Sequence, residues 1–200
     1  MNEVQPIRDI SVIVQIKNYL KVKSFRDYIF FSMGIHSGLR VSDLLKLQVG
    51  TVRDQSHINF VADKTKKRNK KRKKKKFIIH SDYHDDLMLY IQDLPDDAYL
   101  FASRQRKTIT GAVGEPIRRE TAWKMLNDVA ARFGLENIGT HSLRKTWGYQ
   151  LIMSTPPNEA AYTMALLMEM FGHETQEETL RYLGLTQDAM DRANLRMSFT

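Results

Sequence analysis

The chain has no cysteine in its 200 residues. Disulfide scaffolds, cysteine-based zinc sites and cysteine nucleophiles are therefore excluded. It also lacks a long hydrophobic run. No stretch approaches the roughly 18 uninterrupted apolar residues of a membrane-spanning helix. The N-terminal MNEVQPIRDI is charged and has no apolar centre, so it does not read as a signal peptide. These absences predict a cytoplasmic protein with no membrane partner. Hydrophobic residues make up 42% and charged residues 27%, the balance of an ordinary globular domain. At this length the chain can bury a core without staples.

Acidic residues are in deficit, 23 against 31 Lys and Arg, for a net charge of +8. The excess is local. The segment Lys64 to Lys76 reads KTKKRNKKRKKKK and holds 11 basic residues. Without it, 20 basic residues face 23 acidic ones, a net of −3. A mildly acidic globule thus carries one intensely basic strip. Such a strip fits a polyanionic partner, most simply nucleic acid.

Hydrophobic spacing organises the rest, and no internal repeat is present. Ile10, Ile13, Val14, Tyr19 and Leu20, then Phe25, Tyr28, Ile29, Phe31 and Met33, predict two helices divided near Ser24. Gly38 permits a turn before a short helix from Ser42. Val49–Val52, Ile58–Ala62 and Phe77–His80 read as strands, with the basic run at the hairpin tip. Further helices are expected after Ser81, over 119–133, 141–153, 158–170, 176–182 and 187–197. Thr140 and Asn158 are candidate caps. The expected fold is mainly α with a small antiparallel β-sheet (α+β). No linker divides it, so one domain spans 1–200.

Four spaced elements carry chemistry: Gly38-Leu39-Arg40-Val41-Ser42-Asp43, Lys64, His141-Ser142-Leu143-Arg144-Lys145-Thr146, and Phe171-Gly172-His173 with Tyr182 nine positions after the histidine. His141 and Arg144 stand at i and i+3, on one helix face that the apolar stripe leaves presented. Asp43 can orient Arg40 or His141 by a charge-assisted hydrogen bond. Arginines suit bidentate phosphate recognition, and two of them can stabilise a pentavalent phosphoryl transition state. Tyrosine is a poor nucleophile while protonated, with an ordinary pKa of about 10. Nearby arginines and an acceptor favour its phenolate, whose attack on phosphorus would be covalent catalysis. Taken singly, each of these residues is more often an ion pair or a packing residue. Their joint order and spacing carry the signal.

That order, Arg, Lys, His-x-x-Arg, His, Tyr, resembles the catalytic domain of the tyrosine recombinase family, the phage-integrase type. The resemblance spans about residues 8–195. It implies that Arg40 and Arg144 clamp the scissile phosphate. It implies that His141 and His173 bond its oxygens and assist proton transfer. Lys64 would be the general acid toward the 5′-hydroxyl, with Lys66 as its competitor within the basic run. Asp43 takes the supporting acidic position. Tyr182 would attack, leaving a 3′-phosphotyrosyl bond, and a 5′-hydroxyl of another strand would reverse the step. No metal or nucleotide cofactor is implied. Lys145 stands where the family often has histidine.

The resemblance implies double-stranded DNA as partner, with self-association as a dimer or tetramer on it. The family's usual helical DNA-binding domain is expected to be absent, since about seven residues precede the first helix. Lys66, Lys67, Arg68, Lys70, Lys71 and Arg72 could compensate by gripping the DNA backbone without reading sequence. The segment 186–200, with Ala189, Met190, Ala193 and Met197 apolar, could dock on a neighbouring protomer or pack on its own domain. The leading expectation is a site-specific, integrase-like recombinase. The alternatives are type IB topoisomerase-like relaxation and a non-catalytic DNA-binding regulator with the same fold.

Overall fold

A computed structural model describes residues 4–61, 74–103 and 114–198. Helix α1 spans Ile10–Lys23 and α2 spans Phe25–Ser37. Ser24, in extended conformation, divides them as the sequence predicts. The inward stripe of α1 is Ile13, Ile16 and Leu20, at i, i+3 and i+7. Ile10 and Val14, expected in that stripe, face outward. Helix α2 is the centre of the molecule. Tyr28 through Ile35 is a continuous buried run, and the helix packs against α1 and against two later helices, α4 (Ser81–Ile91) and α6 (Ser142–Ser154). A helix apolar all round is one surrounded on every side. Gly34 admits α6, because a Cβ there would lie 2.5 Å from Leu143 Cδ1.

After the short α3, Val41–Leu44, the chain turns through Val49–Thr51. The sequence reads Val49–Val52 as a strand, and the structure corrects this to a single 3-10 turn. The amides of Val49 and Gly50 bond the carbonyls of Ala98 and Asp96 in a neighbouring loop, so no ladder forms. The sheet has two antiparallel strands, β1 at His57–Val61 and β2 at Lys74–Ile78. Ile58 pairs with Phe77, and both are buried. Their neighbours His57, Asn59, Lys76 and Ile78 are exposed, the period-two alternation of a half-buried hairpin. Residues 64–73 of the basic run lie outside the described residues.

Helix α4 follows at Ser81–Ile91 and α5 at Arg119–Arg132. Then come α6 at Ser142–Ser154, α7 at Ala160–Phe171, α8 at Gln176–Leu183 and α9 at Leu185–Leu195. The fold is mainly helical with one small sheet, as expected. Asn158 does not cap α7, because Pro157–Glu159 forms a 3-10 turn and Glu159 takes the cap position. The large core gathers around α2. A smaller cluster of Leu167, Phe171, Leu183 and Leu185 packs with Trp147, Tyr149 and Tyr182. No helix among the described residues is long and apolar enough to cross a membrane.

Candidate active site

The site is assembled where α2, α6, α7 and α8 end or begin. Helix α2 stops at Gly38, which has φ +60°. This left-handed residue turns the chain so that Leu39 is buried and Arg40 starts α3. The Gly38 carbonyl accepts a hydrogen bond from Arg144 Nη1. Arg144 Nη2 donates to the Met170 carbonyl at 2.7 Å, and the guanidinium lies 4.8 Å from the Phe171 ring centre. Arg144 therefore joins the last turn of α2 to the last turn of α7.

Sequence spacing predicts His141 and Arg144 together on a presented face. The structure keeps them near each other but at different depths. His141 caps α6 and remains exposed, whereas Arg144 is 5% exposed. The position is inward because Leu143, Arg144, Lys145 and Thr146 all lie in the crowded first turns of α6, against α2 and the α7 end. Thr140, expected as the cap, instead accepts from Arg119 Nη2 at 3.4 Å. Burial lowers the Arg144 pKa to about 10, and the like charge of Arg40 adds to this. It remains a cation at neutral pH. Asp43 is buried and favours that cation by charge. Asp43 thus also acts on Arg144, besides Arg40 or His141, which the sequence offers as its partners.

Gly172 ends α7 and releases His173, whose Nδ1 lies 3.1 Å from Thr179 Oγ1. Thr179 is on α8, one turn before Tyr182, so the same helix orients both rings. The His173 and Tyr182 ring centres are 5.2 Å apart in an edge-to-face contact. Tyr182 also packs on Phe171 at 4.9 Å and lies within the electrostatic reach of Arg144. Burial raises its pKa, against the opposing pull of Arg144 and Arg40. The two arginines thus favour the phenolate, as the sequence expects, and burial opposes them. The resting side chain is a neutral phenol, because desolvation outweighs both arginines.

Both imidazoles are pushed the other way. Partial burial lowers the His141 pKa, and Arg119, Arg144, Arg40 and Lys145 add to this. Burial also lowers His173, with Glu178 opposing and the arginines reinforcing. Both are neutral at pH 7 and can accept protons. A concave pocket of about 250 Å³ is lined by Arg40, Val41, Ser42, Asp43, Arg119, Thr140 and His141. Tyr182 does not line it, and the Arg144 charge is coupled both to Tyr182 and to Arg40 in the pocket lining. With Arg40, Arg119 and His141 in its lining, the pocket is suited to an anion of phosphate type.

The geometry thus brings Arg40, Asp43, His141, Arg144, His173 and Tyr182 into one connected region. Lys64, Lys66, Lys67, Arg68, Lys70, Lys71 and Arg72 lie outside the described residues. One side chain of the site, Arg119, was not singled out from the sequence, and another, Lys145, was noted only as standing where the family often has histidine. Arg119 opens α5 and enters the pocket, which no local pattern announces. Lys145 is 4% exposed, with Nζ 4.9 Å from the Tyr182 ring centre. Its adjacency to Arg144 was the available signal. The described His and Asp side chains able to share a metal ion, His36, His80 and Asp82, do not line this pocket.

Comparison with known proteins agrees with the motif reading. The model of the phage integrase family matches residues 8–188. The chain is 39% identical over 189 residues to the probable integrase/recombinase YoeC of Bacillus subtilis, covering 94% of this chain and 93% of that protein. It is 21% identical over 186 residues to the tyrosine recombinase XerD of Staphylococcus saprophyticus, covering 90% of this chain and 57% of that one. It thus spans little more than half the length of that relative. Among solved structures, the XerA recombinase superposes with a TM-score of 0.65 at 18% identity, over 100% of this chain and 66% of that one. A lambda integrase dimer bound to a COC′ core site superposes with a TM-score of 0.57 at 15% identity, over 92% and 61%. Those structures share the fold, and the family match with the 39% identical relative shows the lineage: this chain belongs to the phage integrase family of tyrosine recombinases.

Proposed function

We propose that this chain cleaves and rejoins double-stranded DNA at specific sites through a 3′-phosphotyrosyl intermediate formed by Tyr182. The carrying observation is the Arg144 guanidinium, which is fixed by two backbone carbonyls and acts by its charge on Tyr182 and Arg40. Arg40 and Arg144 hold the scissile phosphate and offset the charge that grows on its oxygens. Tyr182 Oη forms the bond to phosphorus as the bond to the 5′-oxygen breaks. The raised pKa of Tyr182 means that its proton must leave during attack, and neutral His173 or His141 is the acceptor. The 5′-oxygen takes a proton from Lys64, in keeping with the family pattern. A second 5′-hydroxyl reverses the sequence, so no external energy source is consumed.

The 200 residues form a single catalytic unit in this reading. Lys66, Lys67, Arg68, Lys70, Lys71 and Arg72 contact the DNA backbone. Self-association on DNA is part of the proposal, and the exposed Met190, Leu195 and Met197 offer apolar surface for it. A pool of nicked duplexes, randomised around the nick, tests the reading. Wild-type protein should trap a covalent protein–DNA band. Arg40→Ala should reduce that band by orders of magnitude while lowering duplex affinity a few-fold. Equal losses in both would make Arg40 an anchor and refute its transition-state role.

A further inference from the structure

We propose that His36, His80 and Asp82 form a binding site for one divalent transition-metal ion of the zinc type, clamping the last turn of α2 to the start of α4. One ligand atom from each side chain lies within 4.8 Å of the other two. His36 Nε2 faces Asp82 Oδ2 at 3.6 Å, and His80 Nδ1 faces Asp82 Oδ1 at 3.2 Å. The carboxylate therefore sits against one nitrogen of each ring. The two imidazoles stack with centres 4.4 Å apart and planes 21° from parallel.

The tautomer of His80 is already the one ligation needs. Its Nδ1 accepts the Asp82 amide at 3.1 Å, so that nitrogen carries a lone pair and Nε2 carries the proton. A cation would take the lone pair, exchanging a cap hydrogen bond for coordination. A tetrahedral zinc with nitrogens at about 2.0 Å places its ligands about 3.3 Å apart. Closing the observed spacing to that value requires rotation of the imidazole χ2 and the carboxylate, both broad torsions. Two imidazoles with one carboxylate select zinc-type ions over magnesium or calcium, which take oxygen ligands.

The surroundings fit a site that solvent can enter. His36 is mostly buried, with 19% of its side chain exposed, and the buried Tyr83 ring lies 5.6 Å from it. His80 and Asp82 are open to solvent, leaving room for water to complete the coordination. Lys17 on α1 is the nearby opposing charge, and the Asp82 carboxylate offsets it. The bland role of His80 and Asp82 is capping α4. Capping does not explain the third ligand, His36, which comes from a different helix, α2, and meets the same carboxylate.

Zinc titration of the untagged 200-residue chain, in competition with a chromogenic chelator, tests this. Wild type should bind one equivalent and show a zinc-dependent rise in Tm. His36→Gln, His80→Gln and Asp82→Asn should each weaken that binding at least tenfold and abolish the rise. His173→Gln should retain both. Zinc uptake that is absent, or unchanged in His80→Gln and Asp82→Asn, overturns the proposal, as does uptake lost only on replacing His141 or His173. His80→Gln and Asp82→Asn alter exposed positions, so they decide the matter even if His36→Gln fails to fold.

Discussion

Replacing Gly38 by alanine adds one carbon to a residue that takes no part in bond making. Two separate costs follow. A non-glycine residue at φ +60° pays about 1–2 kcal/mol for left-handed geometry. The new Cβ would also lie 2.3 Å from Trp147 Cε3 and 2.5 Å from Cδ2. That is a clash with a rigid ring, and overpacking of this kind costs about 1–3 kcal/mol. The sum is about 2–5 kcal/mol, measurable by urea unfolding. The clash can be isolated. Combining Gly38→Ala with Trp147→Leu should recover about 1–3 kcal/mol relative to additivity, leaving the backbone strain. Because the Gly38 carbonyl receives Arg144, the single variant should also lose more cleavage than DNA affinity. A stability loss below about 1 kcal/mol, or strict additivity of the pair, would refute this reasoning.

Lys145→Met keeps the buried stem but removes the cation beside the Tyr182 ring, an interaction of about 0.5–2 kcal/mol. Single-turnover cleavage should fall about tenfold, and an unchanged rate would mean that the lysine serves packing alone. The neutral imidazoles set the acid limb of the cleavage rate. Since His141 and His173 are both shifted down, the rate should hold as pH falls to about 6.5 and decline below it, and a midpoint above that value would contradict their burial. Neutralising Lys66, Lys67, Arg68, Lys70, Lys71 and Arg72 should flatten the salt dependence of DNA binding, by about 0.9 in log–log slope for each phosphate left without its cation. An unchanged slope would mean that the basic run does not touch the DNA.

Much of the fold was legible because its signals are local. Ser24 between two apolar stripes, and the alternation around Ile58 and Phe77, are short-range patterns whose physical reading is direct. Val49–Val52 misled because its three β-branched residues read as strand, while the Val49 and Gly50 amides are claimed by a loop far along the chain. The site was legible as an ordered set of residue types, but its layering was not. Periodicity placed Arg144 on an open face. Its burial depends on two distant carbonyls, at Gly38 and Met170, which no helix pattern can register. Arg119 reaches the pocket from another helix for the same reason. The ionisation state of Tyr182 also needed the structure, since sequence shows the nearby arginines but not the desolvation that opposes them.

The central claim is that Tyr182 becomes covalently joined to DNA. Trapping the complex on a nicked duplex, digesting both partners and sequencing the modified peptide by mass spectrometry tests it directly. The account predicts a nucleotide-bearing peptide from the end of α8, modified at Tyr182 through a 3′-phosphate, with a free 5′-hydroxyl on the released strand. Tyr182→Phe should yield no such peptide. Modification at any other residue, or a covalent complex that persists in Tyr182→Phe, would contradict the account.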